Sequence, residues 1–354
     1  MDALIVSRAE AGQKLLNFLI RRVEAADGEL HKWIRSGQVR VNGGRVKAFA
    51  RVSEGDAVRV PPFAVVRAVV HAGVHAGVCA GVCREERDAG VVDMAASGEA
   101  PRDAGQGVGL TAGDGTRPVP PIWPSVPIVH EDDELLVLNK PAGLPSQSGS
   151  GHSDSVASRL SAAYARTPFV PALVHRLDKD TSGLLLAGKS YAAVRRLTDA
   201  LAVRHGEAPV KDYLAWVWGR WPHSAVRELH DRLIRDERRT RTTADQGREA
   251  LCLAAALTIR ETPACGPVSL LLVRLVTGRT HQIRVQLASR AFPVLGDPLY
   301  GDAERDARCR VTGLRLHACR LFLPEPWSLA LEAAPDWPAP WALREIPPLP
   351  SAQS

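Results

Sequence analysis

Apolar residues near the start of the chain recur at the spacing of a helix, and those that follow recur at the spacing of short strands. The helical spacing covers one set of positions: Leu15, Leu16, Phe18, Leu19 and Val23. We predict a helix there. A second short helix follows over Leu30 to Ile34 and ends at Ser36-Gly37. The stretch from Val39 to Val46 predicts two short strands around Asn42-Gly43, because Asn-Gly favours the tight turn of a hairpin.

From Ile128 onward, runs typical of strands outnumber those typical of helices. The strand-like runs are Glu134 to Leu138, Gly183 to Ala187, Tyr213 to Trp218, Leu251 to Ile259, Val268 to Val276 and His317 to Leu323. Helical stretches at Ser153 to Ala165 and Tyr191 to Ala202 fall between some of them. Because helices and strands do not alternate regularly, we expect an α+β fold on a mainly antiparallel or mixed sheet rather than a doubly wound one.

The segment between these two regions has a composition of its own. Of the 58 residues from 63 to 120, 32 are Ala, Gly or Val, which offer too little apolar surface to offset the entropy of ordering the chain. We interpret this segment as a low-complexity linker or insertion. The expected divisions are an N-terminal domain at 1–62, the linker at 63–121, a larger domain at 122–326 and a Pro/Trp-rich C-terminal tail at 327–354.

A ladder of potential zinc ligands lies within this segment. His71, His75, Cys79 and Cys83 recur at every fourth position, so a helix would align them on one face. They would climb about 18 Å along that helix, too far to converge on one ion. The glycines and valines between them also oppose a helix. We therefore expect repetition without a metal site.

Length, net charge, hydropathy and cysteine content indicate the class of protein and its expected location. A length of 354 residues with 45% hydrophobic residues predicts about two domains. The net charge of +6 mildly favours a polyanionic partner. No apolar run approaches the roughly 20 residues that cross a bilayer, so we expect a cytoplasmic protein that does not bind membranes. The 6 cysteines are too sparse for a disulfide framework, and we expect free thiols.

Basic residues collect on the second predicted helix and the turn after it: Lys32, Arg35, Arg40 and Arg45. They could meet RNA phosphates on one surface, or they could be solvated charges on a small module. The string HKWIRSGQVRVNGGRV, with GDAVRV at 55–60, resembles the S-four-like RNA-binding domain. The resemblance spans about residues 10–62 and implies a small N-terminal αβ domain that grips structured RNA.

Four strings follow one another in the larger domain: NKPAG at 139–143, VHRLDKDTSG at 174–183, KDYLA at 211–215 and GRTHQIRV at 278–285. With LGDPLYG and LHA after them, they resemble the RluA-type pseudouridine synthases in sequence and order, over about residues 122–326. The resemblance implies the pseudouridine synthase fold. It also implies a reaction that detaches uracil from its ribose, rotates the base and reattaches it through carbon. No atoms are gained or lost, so we expect no cofactor and no metal.

Three residues match the active-site positions of that family. The resemblance implies that Asp178 is the nucleophile and that Tyr213 stacks under the uracil. It also implies that Arg284 pairs with Asp178, and we expect the guanidinium to hold both carboxylate oxygens. Taken alone, these residues also fit a turn-forming aspartate, a tyrosine on a strand buried on both sides and a surface arginine on a helix starting near Thr280. We expect His175 to pack within its loop.

The resemblance also assigns RNA contacts outside these three residues. Arg176 corresponds to an arginine that in some family members enters the space left by a flipped base. A basic run either follows RNA or faces solvent: Arg232, Arg235, Arg238, Arg239 and Arg241.

The resulting hypothesis is a monomeric pseudouridine synthase with RNA as its partner. Large-subunit ribosomal RNA is the expected substrate, because the N-terminal domain accompanies that substrate class in relatives. Three alternatives stay open: a transfer RNA pseudouridine synthase, a non-catalytic RNA-binding factor of ribosome assembly, and a hydrolytic enzyme that releases free uracil.

Overall fold

The computed structural model describes six stretches of the chain: residues 3–66, 126–148, 154–202, 208–236, 239–343 and 345–346. The His/Cys ladder and most of the predicted linker lie outside the described residues.

The N-terminal region forms a small αβ domain. Its elements, in chain order, are β1 (Leu4–Ile5), α1 (Leu15–Arg22), β2 (Val23–Glu24), α2 (Asp27–Ser36), β3 (Arg40–Val41), β4 (Ala57–Arg59) and β5 (Val65–Val66). Both predicted helices are present, and their apolar faces meet in one core around Phe18, Leu19 and Leu30. Helix α2 ends at Gly37, whose φ of 77° is the left-handed conformation that glycine adopts without strain. Because β5 pairs with β2, this domain continues to residue 66, beyond the expected boundary at 62.

The predicted hairpin is only half formed. Asn42 and Gly43 have positive φ, as an Asn-Gly turn requires. The prediction of a second strand after the turn was wrong, because Val41 makes only an isolated bridge to Gly44. Strand β3 pairs instead with β4, where Val41 lies opposite Val58, so its partner strand is supplied by the tertiary fold.

The larger domain begins at β6 and contains most of the secondary structure. Its elements are β6 (Ile128–Glu131), β7 (Leu135–Lys140), α3 (Val156–Ala163), β8 (Ala172–Leu173), β9 (Ser182–Gly188), α4 (Tyr191–Ala202), β10 (Val210–Trp218), β11 (Arg227–Arg235), β12 (Thr240–Thr243), β13 (Arg248–Thr262), β14 (Gly266–Leu275), α5 (Gln282–Ala288), α6 (Ala303–Arg308), β15 (Leu316–Leu323) and β16 (Leu329–Glu332). Among the residues that the structure describes, no helix is long and apolar enough to cross a membrane.

The strands that the structure describes in the larger domain form one 11-stranded sheet. The order is β12-β11-β13-β14-β10-β15-β9-β7-β6, with β16 beside β15 and β8 beside β9. The pairing of β15 with β9 is parallel and the other pairings in this sheet are antiparallel. The predicted α+β class with a mainly antiparallel, mixed sheet is thereby confirmed.

Strand β10 lies inside the sheet and is buried on both faces. Tyr213 and Ala215 belong to the core on one face, while Leu214 and Trp216 belong to the core on the other. The C-terminal residues complete the second core, since the ring of Trp341 lies 5.5 Å from that of Trp216. Within the expected tail, residues 327–343 are therefore no separate segment: β16 pairs with β15, and Trp337 and Trp341 are buried in the second core.

The cysteines depart in part from the expected free thiols. Cys265 and Cys309 form a disulfide with Cα atoms 6.2 Å apart, joining the β13–β14 turn to the end of α6. The two residues are 44 positions apart, so only tertiary folding brings them together. Cys252 and Cys319 are buried free thiols.

Candidate active site

A cleft of about 460 Å³ opens where the strands of the central sheet meet the start of α5. This volume falls within the range of small-molecule sites, roughly 300–1,000 Å³. Its walls come from the loop before β9, the end of α4, the start of β10 and the segment from Leu275 to Arg284. The cleft lining contains four basic side chains, Arg176, Lys211, Arg279 and Arg284, and one carboxylate, Asp178. The cleft therefore suits an anionic ligand.

Asp178 lies in the loop between β8 and β9, and hydrogen bonds hold that loop from both sides. Its carbonyl accepts from the backbone N–H of Thr181, 3.2 Å away. The residue before it is clamped by Ser146, whose hydroxyl donates to the carbonyl of Leu177 at 2.7 Å and accepts from its N–H at 3.0 Å. The carboxylate itself is 16% exposed, so it is accessible at the cleft floor yet largely shielded from water.

Lys140 holds the same loop in place through hydrogen bonds to backbone carbonyls. Its buried ammonium donates to the carbonyls of Pro141, Leu144 and Lys179 at 2.7, 2.8 and 2.9 Å. Burial lowers the pKa of Lys140 to about 8, while the charges of Asp180 and Asp178 oppose that shift. The three carbonyls use all three ammonium protons, so this lysine joins the NKPAG segment to the residue after Asp178. Neither Lys140 nor Ser146 was predicted to take part in the site.

Arg284 contacts Asp178, as the family resemblance implied, but the geometry differs from the expectation. One terminal nitrogen, Nη1, lies 3.1 Å from Asp178 Oδ2. The forked contact goes to Asp297 instead, with Nε 2.7 Å from Oδ2 and Nη2 2.7 Å from Oδ1. The expectation that Arg284 holds both oxygens of Asp178 was therefore wrong, because Asp297 occupies the fork. The guanidinium thus reaches Asp178 with the one terminal nitrogen that the fork leaves free.

Asp297 fixes the arginine from the buried side of the site. Its Oδ1 also accepts from the backbone N–H groups of Leu299 and Tyr300, at 2.9 and 3.1 Å. Burial by itself lowers the pKa of Arg284, but the hydrogen bonds and charges of Asp297 and then Asp178 outweigh it and raise the pKa. The residue before Asp297 must be glycine, because a Cβ on Gly296 would lie 2.0 Å from the carbonyl oxygen of Gly313. The string LGDPLYG carried the only sequence signal for this contact.

Tyr213 points into the cleft from β10. The residue is 6% exposed and lies on the cleft wall with Asp178. Burial, and next the charge of Asp178, raise the pKa of its phenol above the ordinary value. The side chain therefore stays neutral at physiological pH and presents an aromatic face and a hydroxyl to whatever enters the cleft.

A histidine that was not predicted as a site residue also faces Asp178. His281 has a φ of 54°, a left-handed conformation that is uncommon for a residue with a side chain. Its Nε2 lies 3.8 Å from Asp178 Oδ2, and its Nδ1 lies 2.9 Å from the hydroxyl of Tyr300. That hydroxyl accepts from the backbone N–H of Thr240 at 2.8 Å, so its own proton is free to go to Nδ1.

The surroundings favour the neutral form of His281. Burial lowers its pKa, although the charge of Asp178 opposes this. With Nδ1 accepting from Tyr300, the ring proton sits on Nε2 and faces the carboxylate. The signal for His281 was its place in GRTHQIRV, but nothing in that string indicated which way the ring points.

The remaining predicted residues lie around the cleft or away from it. Arg176 is exposed on the cleft wall and has no ion-pair or hydrogen-bond partner within the described part of the chain. His175 packs in its loop, where Nε2 accepts from the N–H of Leu186 at 3.1 Å and burial lowers its pKa to about 3. Of the predicted arginine run, Arg232, Arg235, Arg239 and Arg241 are exposed, Arg241 pairs with Asp236, and Arg238 lies outside the described residues.

The four basic residues predicted on the N-terminal domain are all exposed. Arg45 donates to the carbonyl of Ser36 at 3.0 Å, and Arg40 donates to the carbonyls of Gly37 and Gly43. These contacts gather the two arginines around the end of α2, which itself carries Lys32 and Arg35. We call these four residues the α2 patch. No carboxylate pairs with any of them among the residues described.

Comparisons with known proteins show which proteins this chain resembles. Residues 134–289 match the RNA pseudouridylate synthase family model. Ribosomal large subunit pseudouridine synthase C of Yersinia pestis is 32% identical over 335 residues, covering 92% of this chain and 88% of the relative. The Escherichia coli K12 protein of the same name is 32% identical over 330 residues, covering 90% and 85%. A solved human structure, RNA pseudouridylate synthase domain containing 1, is 26% identical, covers 60% of this chain and 83% of its own, and has a TM-score of 0.47.

The identity and coverage of these relatives define the class: the chain is an RNA pseudouridine synthase, an isomerase that acts on RNA. Within that class it belongs to the RluA-type family that its ordered strings resemble.

Proposed function

We propose that this enzyme converts uridine to pseudouridine in large-subunit ribosomal RNA, with Asp178 as the nucleophile. The observation that supports the assignment of Asp178 is the 3.1 Å contact between Arg284 Nη1 and Asp178 Oδ2, on the floor of a cleft that Tyr213 also lines. The similarity of 92% of the chain to a protein named ribosomal large subunit pseudouridine synthase C supports the choice of RNA.

Each of the three residues has a distinct part in this reaction. An ionised carboxylate at Asp178 can add to the nucleoside and leave again while the base rotates. Arg284 is held by Asp297, so its positive charge stays at one place as the charge on Asp178 is consumed and restored. The neutral phenol of Tyr213 stacks on the uracil and lies within reach of the proton that leaves the rearranged base.

We further propose that residues 1–66 are an RNA-binding module of the S-four-like type, and that the α2 patch contacts phosphates. The absence of carboxylate partners for the patch among the described residues supports this role, because its charges are available to RNA. Arg176, exposed on the cleft wall, would contact the RNA around the flipped nucleotide. We also propose that the enzyme acts as a monomer, and a ribosomal substrate implies a cytoplasmic location.

Position-resolved mapping of pseudouridine in cellular RNA tests the proposal. We expect one or more large-subunit sites to lose pseudouridine when the protein is removed and to regain it when the wild-type chain is returned. The Asp178→Asn chain should not restore them, because the amide keeps the shape of the side chain but not its nucleophilic oxygen. Purified Asp178→Asn protein should still bind the RNA within a few-fold of wild type.

The same experiment separates the alternatives. Sites lost from transfer RNA instead of large-subunit RNA would replace the proposed substrate. Restoration by Asp178→Asn would indicate a binding factor, or a different nucleophile. Release of free uracil by the purified enzyme would indicate hydrolysis.

A further inference from the structure

Lys211 is a basic side chain on the cleft wall to which neither the resemblance nor the reaction assigns a role. It lies on β10 two residues before Tyr213, and both side chains line the cleft with Asp178. Lys211 is half-buried, yet within the described part of the chain its ammonium has no hydrogen bond and no ion pair. The residue between them, Asp212, gives its carboxylate to Arg274 at 2.7 and 2.8 Å, so it does not neutralise the lysine.

Two other lysines of this domain that are little exposed to solvent both have partners, which makes the unpaired ammonium of Lys211 unusual. Lys140 satisfies its ammonium with three backbone carbonyls, and Lys189 pairs with Glu131 at 2.8 Å. Burial lowers the pKa of Lys211, and no carboxylate opposes that shift. Removing an ammonium from water without a partner costs free energy. A ligand that carries negative charge would compensate that cost when it enters the cleft.

The cleft itself does not supply the missing charge. Asp178 is the one carboxylate among the described residues that line it, and Arg284 already contacts this carboxylate. The ligand must therefore bring the charge. In a nucleotide the anionic group is the phosphodiester, since the uracil carbonyls are neutral acceptors that cannot balance a full positive charge. When a uridine leaves its helix or loop, the phosphates on either side of it follow to the mouth of the pocket.

We propose that Lys211 binds a phosphate adjacent to the target uridine, an assignment that rests on the proposed RNA substrate. This phosphate and the uracil would then be held by one strand, the phosphate at Lys211 and the base at Tyr213. Tyr213 pairs with both β14 and β15 and Lys211 pairs with β15, so the sheet holds these two positions of β10 in place relative to one another. Lys211 thereby sets how deep the nucleoside sits over Asp178.

A double-mutant cycle that combines one change in the protein with one change in the RNA tests this contact. The substrates are short RNAs around the mapped uridine, either unmodified or with one neutral methylphosphonate on its 5′ or 3′ side. We expect one of the two methylphosphonates to weaken binding to wild type about tenfold, and Lys211→Met to weaken binding of unmodified RNA by a similar factor. The Lys211→Met protein should then lose nothing further with that methylphosphonate. Lys189→Met, which removes a lysine outside the cleft, should keep the full wild-type loss.

Independent losses of affinity would overturn the proposal. If Lys211→Met and each methylphosphonate weaken binding by factors that simply multiply in the combined pair, Lys211 contacts neither phosphate. Thermal unfolding without RNA gives a second readout. Lys211→Met should unfold at the wild-type temperature or above, because it removes an unpaired charge, whereas a lower temperature would indicate a structural lysine. If that variant does not fold, Lys211→Gln takes its place in the cycle. Failure of wild-type enzyme to make pseudouridine would refute the proposed function, whereas turnover with independent losses refutes only the role of Lys211.

Discussion

At the scale of single residues, the site depends on how one guanidinium is divided between two carboxylates. Asp297 takes the fork of Arg284 and Asp178 receives the remaining terminal nitrogen. The fork contact is buried on both sides, whereas Asp178 faces the cleft. Asp297 therefore holds Arg284 in place beside Asp178, whose charge changes in the proposed reaction. A planar group with several donors can do this, and an ammonium cannot.

Arg284→Lys should reduce turnover far more than an ordinary conservative change. Lysine cannot hold Asp297 with two bonds and also reach Asp178, so we expect a loss on the order of 2 kcal/mol in transition-state stabilisation, about thirtyfold in rate. RNA affinity should change little, because the guanidinium faces carboxylates. Single-turnover kinetics and filter binding on the same RNA measure the two effects. Near-normal turnover with weak binding would make Arg284 an RNA contact instead.

Among the elements, the β11–β12 hairpin is joined by hydrogen bonds to helix α5 and to residues that follow it. Gln286 on α5 donates to Asp231 on β11 at 2.8 Å, and Arg290 donates to the same carboxylate. On the other strand, the N–H of Thr240 donates to Tyr300, whose hydroxyl also bonds to His281. The hairpin that carries the exposed arginines is therefore connected to a residue facing Asp178.

Removing the hydroxyl that makes this connection should lower activity. Tyr300→Phe leaves the N–H of Thr240 and Nδ1 of His281 without their partner, and we expect a rate loss of about tenfold, as for a hydrogen bond of roughly 1.4 kcal/mol. Tyr164→Phe is the matched control, since its hydroxyl bonds to Glu131 at 3.2 Å, outside the cleft. Single-turnover rates at saturating RNA compare the two. Equal rates for both variants would show that the connection has no catalytic effect.

For the molecule as a whole, basic surfaces occur on both domains, and the proposed reaction takes place in the cleft. The α2 patch lies on the N-terminal domain and the cleft on the larger one. We therefore expect changes in the patch to alter affinity and its salt dependence, and changes in the cleft to alter rate.

Neutralising the α2 patch tests this division. With Lys32, Arg35, Arg40 and Arg45 changed to Gln, the slope of log K against log salt should become shallower by roughly 0.7 to 0.9 for each phosphate that the protein no longer neutralises. The single-turnover rate on a short, saturating RNA should stay close to wild type. Filter binding over a series of salt concentrations measures the slope. An unchanged slope would mean that the patch does not touch phosphate.

The stability of the molecule should depend on pH through a buried histidine that joins three strands. Nδ1 of His317 on β15 accepts from Ser182 on β9 at 2.8 Å, and Nε2 donates to the carbonyl of Ala333 after β16 at 2.9 Å. The bond accepted from Ser182 needs the neutral ring, whereas the bond donated to Ala333 also forms with the charged ring and opposes the pKa shift. Burial lowers the pKa of His317 to about 4, against about 6.5 in the unfolded chain.

Between pH 6.5 and 4 the unfolded chain therefore binds a proton that the folded protein excludes, so the free energy of unfolding falls as the pH falls. We expect this histidine to contribute a loss of about 2 kcal/mol between pH 7.5 and pH 5. Urea denaturation at the two pH values measures it. His317→Gln should reduce the difference and His31→Gln, an exposed control, should preserve it. The same difference in all three proteins would contradict the assignment to His317.

Sequence patterns were enough to predict the class of fold and the larger strands, and the ordered strings singled out three residues that the structure brings to one cleft. Those inferences depend on local periodicity and on ordered strings such as HRLDKDTSG and GRTHQIRV, which neighbouring residues carry. Which groups contact one another follows from the tertiary structure. The fork of Arg284 on Asp297, the ring of His281 toward Asp178, the pairing of β3 with β4 and the Cys265–Cys309 bridge all join distant positions. Periodicity reports which face of an element is buried, but not which distant segment covers it, because that choice is made by packing across the whole chain.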